Sequence, residues 1–138
     1  MIVMAIIGIL AAIVLPAFQD STAEARQSTV RDNLRILRKA IELYAFQHNG
    51  IPPGYPGNNP SAAPDEATLI AQLVGGHLIN QIPENSFNGL STIQVLANGA
   101  PFPAVATDAS GWIYQPKTKN FRLDHAGADS KGADYISY

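Results

Sequence analysis

The sequence predicts an α+β protein in which a long N-terminal helix packs against a small antiparallel β-sheet. The chain opens with residues 1–18, an apolar run without a single charged side chain. Residues 19–48 follow without a glycine or proline, and their apolar positions have helical spacing. Segments rich in β-branched and aromatic residues, separated by turn residues, come after residue 90. This order predicts one long helical stalk carrying a small head at its C-terminal end.

The apolar run predicts a membrane-spanning segment. As a helix rising ~1.5 Å per residue it is roughly 27 Å long, close to the hydrocarbon thickness of a bilayer. A cleaved secretory signal fits less well, because no basic residue precedes the run and its small residue Ala17 follows Pro16. The nearest basic residues follow the span, which alone would place the head in the cytoplasm. Either the orientation is set otherwise or a basic leader precedes Met1.

The second half of the stalk, residues 19–49, is predicted to be two-sided. One apolar stripe recurs at steps of three and four, and further apolar residues widen it to about half the circumference. The stripe consists of Val30, Leu34, Leu37, Ile41 and Tyr44, and is widened by Ile36, Ala40 and Leu43. A separate charged stripe consists of Arg31, Arg35, Arg38 and Glu42. We therefore expect one face to be covered by the head, and the other to meet water or a neighbour.

Residues 50–138 are predicted to form the head, with residues 27–49 in its core. Asn49 and Gly50 end the stalk, and residues 52–64 form a loop rich in proline and glycine. Asp65 is a good N-cap for a helix over residues 66–74. Residues 91–97 form a strand, and residues 111–115 and 120–124 form a hairpin. Its aromatic residues are expected in the core: Trp112, Tyr114 and Phe121.

Composition and motifs argue against an enzyme and against nucleic-acid binding. The 138 residues fit one domain plus the stalk, and the net charge is only −2. No cysteine is present, so disulfides and thiolate chemistry are excluded. The sequence has no G-x-S-x-G elbow and no phosphate-binding glycine loop, and its histidines lack zinc spacing. His48 falls on the apolar stripe, where a packed or capping imidazole is expected. No catalytic residue is predicted.

Residues 1–20, MIVMAIIGILAAIVLPAFQD, resemble the N-terminal helix of the type IV pilin superfamily, which includes type IV pilins and type II secretion pseudopilins. The resemblance implies a structural subunit of a helical homopolymer. It also implies a basic leader and an FTLIEL-like methylated N-terminus before Met1. The stretch between Gly8 and Pro16 is expected to loosen when subunits pack. The residues implied in filament packing are Ile6, Ile7, Gly8, Leu10, Ile13, Val14, Pro16 and Phe18.

The same resemblance implies location and partners. Before assembly the stalk would span the bacterial inner membrane once, with the head in the periplasm. The assembly machinery would then build a periplasmic pseudopilus or an extracellular pilus. The missing cysteines, the segment IPENSFNG and the acidic C-terminus favour a major pseudopilin of type II secretion. A type IV pilus pilin for adhesion, motility or DNA uptake is the alternative. From another class, a single-pass anchored binding domain also fits.

The tail LDHAGADSKGADYISY offers a candidate calcium site. Asp124, Asp129 and Asp134, with Ser130 and nearby carbonyls, are the hard oxygen ligands that calcium prefers, although their spacing is not that of an EF-hand. The resemblance supports this, because major pseudopilins end in an acidic glycine-rich calcium loop. A solvated polar terminus is the alternative.

The basic stripe of the stalk is a candidate for contacts between subunits. Arg31, Arg35 and Arg38 are expected to form salt bridges with the acidic tail of a neighbouring subunit. The alternative is a solvated helix face, where each exposed charge contributes little to stability.

Overall fold

The long helix α1 spans Ile2–Gln47 in the computed structural model of the chain. The structure describes the backbone from residue 2 to residue 138, and the side chains of residues 3, 4, 6–8 and 22–138. Asn49 and Gly50 both have positive φ, at 56° and 85°, and the Gly50 amide donates to the Ala45 carbonyl at 2.7 Å. The predicted helix stop is thereby confirmed, since glycine readily adopts this conformation.

One face of α1 is buried by the head. The predicted stripe is confirmed, as no member exceeds 5% exposure: Val30, Leu34, Leu37, Ile41 and Tyr44. Ala40 is buried as well, but Ile36 and Leu43 are 52% and 46% exposed, so their predicted burial was wrong. At ~100° per residue these two lie beyond Ala40, past the edge of the buried arc. The helix therefore leaves apolar side chains in solvent.

The strands that the structure describes form one mixed sheet. Strand β1 is Ile93–Val95, β2 is Trp112–Gln115 and β3 is Asn120–Leu123, in the order β1-β2-β3. The predicted hairpin is confirmed, with β2 and β3 antiparallel and joined by a 3₁₀ turn at Pro116–Thr118. However, β1 pairs with β2 in parallel, so the prediction of a wholly antiparallel sheet was wrong. Two parallel neighbours need a long crossover, and residues 96–111 provide it.

The core lies between α1, the sheet and a second helix. Helix α2 is Glu66–Ile70, continued by a π-helical turn over Ala71–Gly75. The predicted cap is confirmed, because Asp65 accepts from the Thr68 amide at 2.7 Å. The predicted core aromatics are confirmed too: Trp112, Tyr114 and Phe121 are at most 1% exposed. They pack with Leu69, Leu73 and the α1 stripe in one cluster.

Within the described residues, no helix combines the length and the apolar character that a membrane crossing requires. The predicted span, residues 1–18, falls mostly on side chains outside this description. Of the residues implied in filament packing, only Ile6, Ile7 and Gly8 have a described solvent exposure, and all three are exposed. The others lie outside the described side chains: Leu10, Ile13, Val14, Pro16 and Phe18.

Candidate assembly surface and C-terminal tail

The C-terminal tail, residues 124–138, is fastened to α1 by hydrogen bonds from arginine side chains. Arg38 donates through Nε and Nη2 to the Phe121 carbonyl, at 3.1 and 2.7 Å, and through Nη2 to the Tyr138 carbonyl. Arg31 donates to the Tyr138 hydroxyl at 2.8 Å and lies 4.8 Å from the centre of the Tyr138 ring. The tail therefore follows one flank of the stalk helix.

Asp129 is the centre of this attachment. Its Oδ2 accepts from the Tyr138 hydroxyl at 2.5 Å and from Arg31 Nη2 at 3.1 Å. Its Oδ1 accepts from the backbone amides of Lys131 and Ala133, at 2.8 and 2.9 Å. The Tyr138 hydroxyl and the Ala133 amide contribute most to lowering the pKa of Asp129 to about 2. Both carboxylate oxygens are thus occupied by donors of the same chain.

Asp124 is fully buried and holds a different part of the head. Its carboxylate accepts from the Thr107 amide at 2.7 Å, the Thr107 hydroxyl at 2.8 Å and the Asp108 amide at 3.2 Å. It also accepts from the Ser110 amide at 3.1 Å and the Ser110 hydroxyl at 3.0 Å. Burial alone would raise the pKa of Asp124, but these hydrogen bonds outweigh it and leave the pKa below its usual value. Asp124 anchors the crossover to the end of β3.

The predicted calcium ligands do not meet in one place. Asp124 faces the crossover, Asp129 faces α1, and Asp134 and Ser130 are exposed to solvent. No three acidic or histidine side chains among the described residues are grouped so as to hold a metal. Calcium takes six to eight oxygen ligands, and the oxygens of Asp124 and Asp129 already accept protein hydrogen bonds. As folded, this donor set does not fit a calcium ion.

We therefore expect calcium to leave the stability of the head unchanged. A ligand that binds only the folded form raises the free energy of unfolding by about 2.7 kcal/mol at a hundredfold excess over its Kd. Melting curves of the head in millimolar calcium and in chelator should coincide. A rise of several degrees with calcium, abolished by Asp129→Ala, would show instead that the tail rearranges around the ion.

A second expectation concerns how the attachment of the tail through Asp129 depends on pH. Folding lowers the pKa of Asp129 from 3.8 to about 2, so its ionised form stabilises the attached tail above about pH 4. That contribution is lost as the pH falls from about 4 to about 2. An NMR titration of the Ala133 amide should show a midpoint near 2, and Asp129→Asn should remove the titration. A midpoint near 4 would mean that the carboxylate is not held as described.

The predicted salt-bridge arginines divide into two kinds. Arg31 and Arg38 contact the tail of their own chain, whereas the prediction placed a neighbour's tail opposite them. Arg35 is exposed and has no ion pair or hydrogen bond to any residue that the structure describes. A contact between Arg35 and a neighbouring subunit therefore stays a prediction.

Sequence reasoning missed two buried groups that shape the head. Asn85, in the IPENSFNG segment, is fully buried and donates to the Gly111 carbonyl at 3.2 Å. Tyr55, in the proline-rich loop, is 2% exposed, and its hydroxyl donates to Asn98 at 2.6 Å. The predicted packing of His48 is confirmed, because its ring stacks on the ring of Tyr44 with 3.9 Å between the ring centroids. The Asn-Ser-Phe-Asn-Gly turn could have indicated a structural role for Asn85. The hydrogen bond of Tyr55 could not be predicted from local sequence, because its partner Asn98 lies 43 residues further along the chain.

The outer face of α1 carries exposed apolar side chains near both ends of the helix. Phe46 is 85% exposed, and Ile36 and Leu43 are about half exposed. Nearer the N-terminus, Val3 and Met4 are 68% and 82% exposed. Exposed apolar patches of this kind on a helix are typical of a surface that another protein or a membrane covers.

Comparison with curated proteins found pilus subunits. The chain is 30% identical over 145 aligned positions to the type IV major pilin protein PilE of Neisseria gonorrhoeae, which covers 97% of this chain and 81% of that protein. It is 32% identical over 145 positions to PilE1 of the same species, covering 97% of this chain and 61% of that protein. Prepilin peptidase-dependent protein D of Escherichia coli is 30% identical over 94 positions, covering 67% and 64%.

The chain belongs to the type IV pilin superfamily. Its α+β architecture, a long N-terminal helix on a small sheet, is consistent with a pilin-like fold. The chain spans only about three fifths of the length of the PilE1 and protein D relatives. No family model and no solved structure matches the chain.

Proposed function

We propose that this chain is a structural subunit of a type IV pilin-like filament. The observation that carries the proposal is the division of α1 into two apolar surfaces. One surface is buried by the head, while the outer one, with Ile36, Leu43 and Phe46, is exposed. An isolated soluble domain has no use for the second surface, but a polymer covers it with neighbouring copies. The names of the pilin relatives support this.

The proposed location follows from the same assignment. Before assembly, residues 1–18 would span the inner membrane once with the head in the periplasm. The subunit would then leave the lipid as neighbouring stalks replace the acyl chains around it. Its partners are further copies of itself and an assembly machinery, and no nucleic acid is proposed. The filament would be a periplasmic pseudopilus or an extracellular pilus.

Two kinds of filament are candidates, a type II secretion pseudopilus and a type IV pilus. The missing cysteines and the IPENSFNG segment support a major pseudopilin of type II secretion. The relatives named type IV major pilins and fimbrial proteins support a pilus pilin. Deleting the gene separates them: loss of surface fibres with secretion intact identifies a pilus pilin, and loss of secretion without loss of surface fibres identifies a pseudopilin.

The filament proposal is tested by comparing two lengths of the chain. Residues 26–138 retain the whole buried stripe of α1, so they should form a soluble, folded monomer. The chain with its processed N-terminus should form filaments or large oligomers in cells that contain the assembly machinery. Size-exclusion chromatography and electron microscopy give the readouts. A full-length chain that stays monomeric under these conditions would support the anchored binding domain instead.

A further inference from the structure

The outer stripe of α1 consists of Ile36, Lys39, Leu43 and Phe46. At ~100° per residue they lie within roughly 80° of one another, so they form one strip along the helix. All four are exposed, and Lys39 makes no ion pair or hydrogen bond with any residue that the structure describes. These four residues therefore form an apolar surface with one unpaired positive charge in its middle, bordered at its N-terminal end by the exposed Asp32 and Arg35.

The head carries a surface of the opposite charge. Loop residues 104–106 and the tail enclose an open groove of about 200 Å³, here called the tail groove. Val105, 72% exposed, and the half-buried Ile136 line it, and the exposed Asp134 lies among them. The Asp134 carboxylate accepts no hydrogen bond and forms no ion pair among the described residues. His125, whose ring nitrogen pairs with Asp108, lines the groove as well, so the tail groove is mainly apolar with one unpaired negative charge.

A chain cannot bring its own stripe to its own groove. The tail is held on α1 by Arg31 and Arg38, which lie within ~20° of each other around the helix axis. The outer stripe is rotated from Arg38 by roughly 80–160°, and the buried stripe occupies the remaining arc. Since the two surfaces lie on different sides of one molecule, pairing them joins two copies head to tail. Such heterologous contacts build open helical polymers.

We infer that the outer stripe of one copy docks in the tail groove of a second copy, with Lys39 facing Asp134. This inference rests on the proposed filament and names the partner of its apolar helix face. Burial of the apolar residues supplies the attraction, and the single charge pair sets the register. Burying Lys39 or Asp134 in the contact without its partner would cost free energy, so docking should require both charges together.

Charge reversal tests the pairing in the full-length chain with its assembly machinery. Lys39→Glu and Asp134→Lys should each lower the filament yield about tenfold or more, since facing like charges oppose docking. The double variant Lys39→Glu with Asp134→Lys should restore it. Because both residues are exposed and unpaired, the melting point of the head should not change. Glu84, an exposed acid lining a different groove, supplies the control: Lys39→Glu with Glu84→Lys should stay defective.

Crosslinking gives a second readout. The chain has no cysteine, so Leu43→Cys combined with Val105→Cys should give disulfide-linked ladders in filaments, and neither variant alone should do so. Wild-type-like filaments from both single charge reversals, no rescue by the double reversal, rescue by Glu84→Lys, or the absence of ladders would each overturn the inference. If the wild-type chain itself forms no filaments, the proposed function fails, which is a separate result.

Discussion

Replacing Asp124 with alanine should destabilise the head by about 3 kcal/mol, because the buried amide and hydroxyl of Ser110, together with partly buried donors of Thr107 and Asp108, would lose their acceptor at once. The carboxylate is fully buried and satisfies Thr107, Asp108 and Ser110. Without it, the crossover loses its attachment to β3. Urea unfolding of residues 26–138, followed by Trp112 fluorescence, measures the change. Asp124→Asn should also be strongly destabilising, since its amide group would face Ser110 or Thr107 donors.

Asp134→Ala is the matched control for this change. Asp134 lies in the same tail, but its carboxylate is exposed and accepts no hydrogen bond from the described residues. Its removal should alter the free energy of unfolding by less than about 0.5 kcal/mol. Equal effects of the two substitutions would contradict the anchoring role of Asp124.

Leu37→Ala should cost about 2–5 kcal/mol of unfolding free energy, the usual range for a leucine truncated in a packed core. Leu37 is fully buried in the cluster that joins α1 to the sheet. For a head of this size the melting point should fall by about 10 °C or more. Thermal denaturation of residues 26–138 gives the measurement.

The neighbouring residue provides the comparison. Ile36 is 52% exposed, so Ile36→Ala should change the melting point of the same fragment only slightly. In the full-length chain, however, Ile36→Ala should reduce filament yield, because the outer stripe loses an apolar contact. A large loss of head stability from Ile36→Ala would place that side chain in the core, against the structure.

Local sequence patterns predicted the elements that depend on local physics. The stripe from Val30 to Tyr44 repeats every three to four residues, so the helix and its buried face could be read directly. Asp65 before an apolar helical segment identified the N-cap, and alternating aromatics around a short turn identified the hairpin. These features need only neighbours in the sequence.

Long-range pairings could not be read in the same way. The Asp129 carboxylate looked like an open ligand, but its guanidinium partner Arg31 lies 98 residues away in the sequence. The Asp124 donors lie in a crossover that carries no pattern of its own. Parallel pairing of β1 and β2 depends on the path of that crossover, which short strands do not determine. The sequence therefore identified individual residues of the C-terminal tail, but it did not predict which partners they contact in the fold.

The central claim, that the chain polymerises through its stalk helix, is tested most directly by electron microscopy. Cells containing a pilin assembly machinery would express the full-length chain as their only major subunit, and filaments would be sheared, labelled with an antibody to the head and imaged. We expect labelled fibres of uniform diameter, absent when residues 26–138 are expressed instead. Absence of labelled fibres, with the folded chain present in the membrane fraction, would contradict the account.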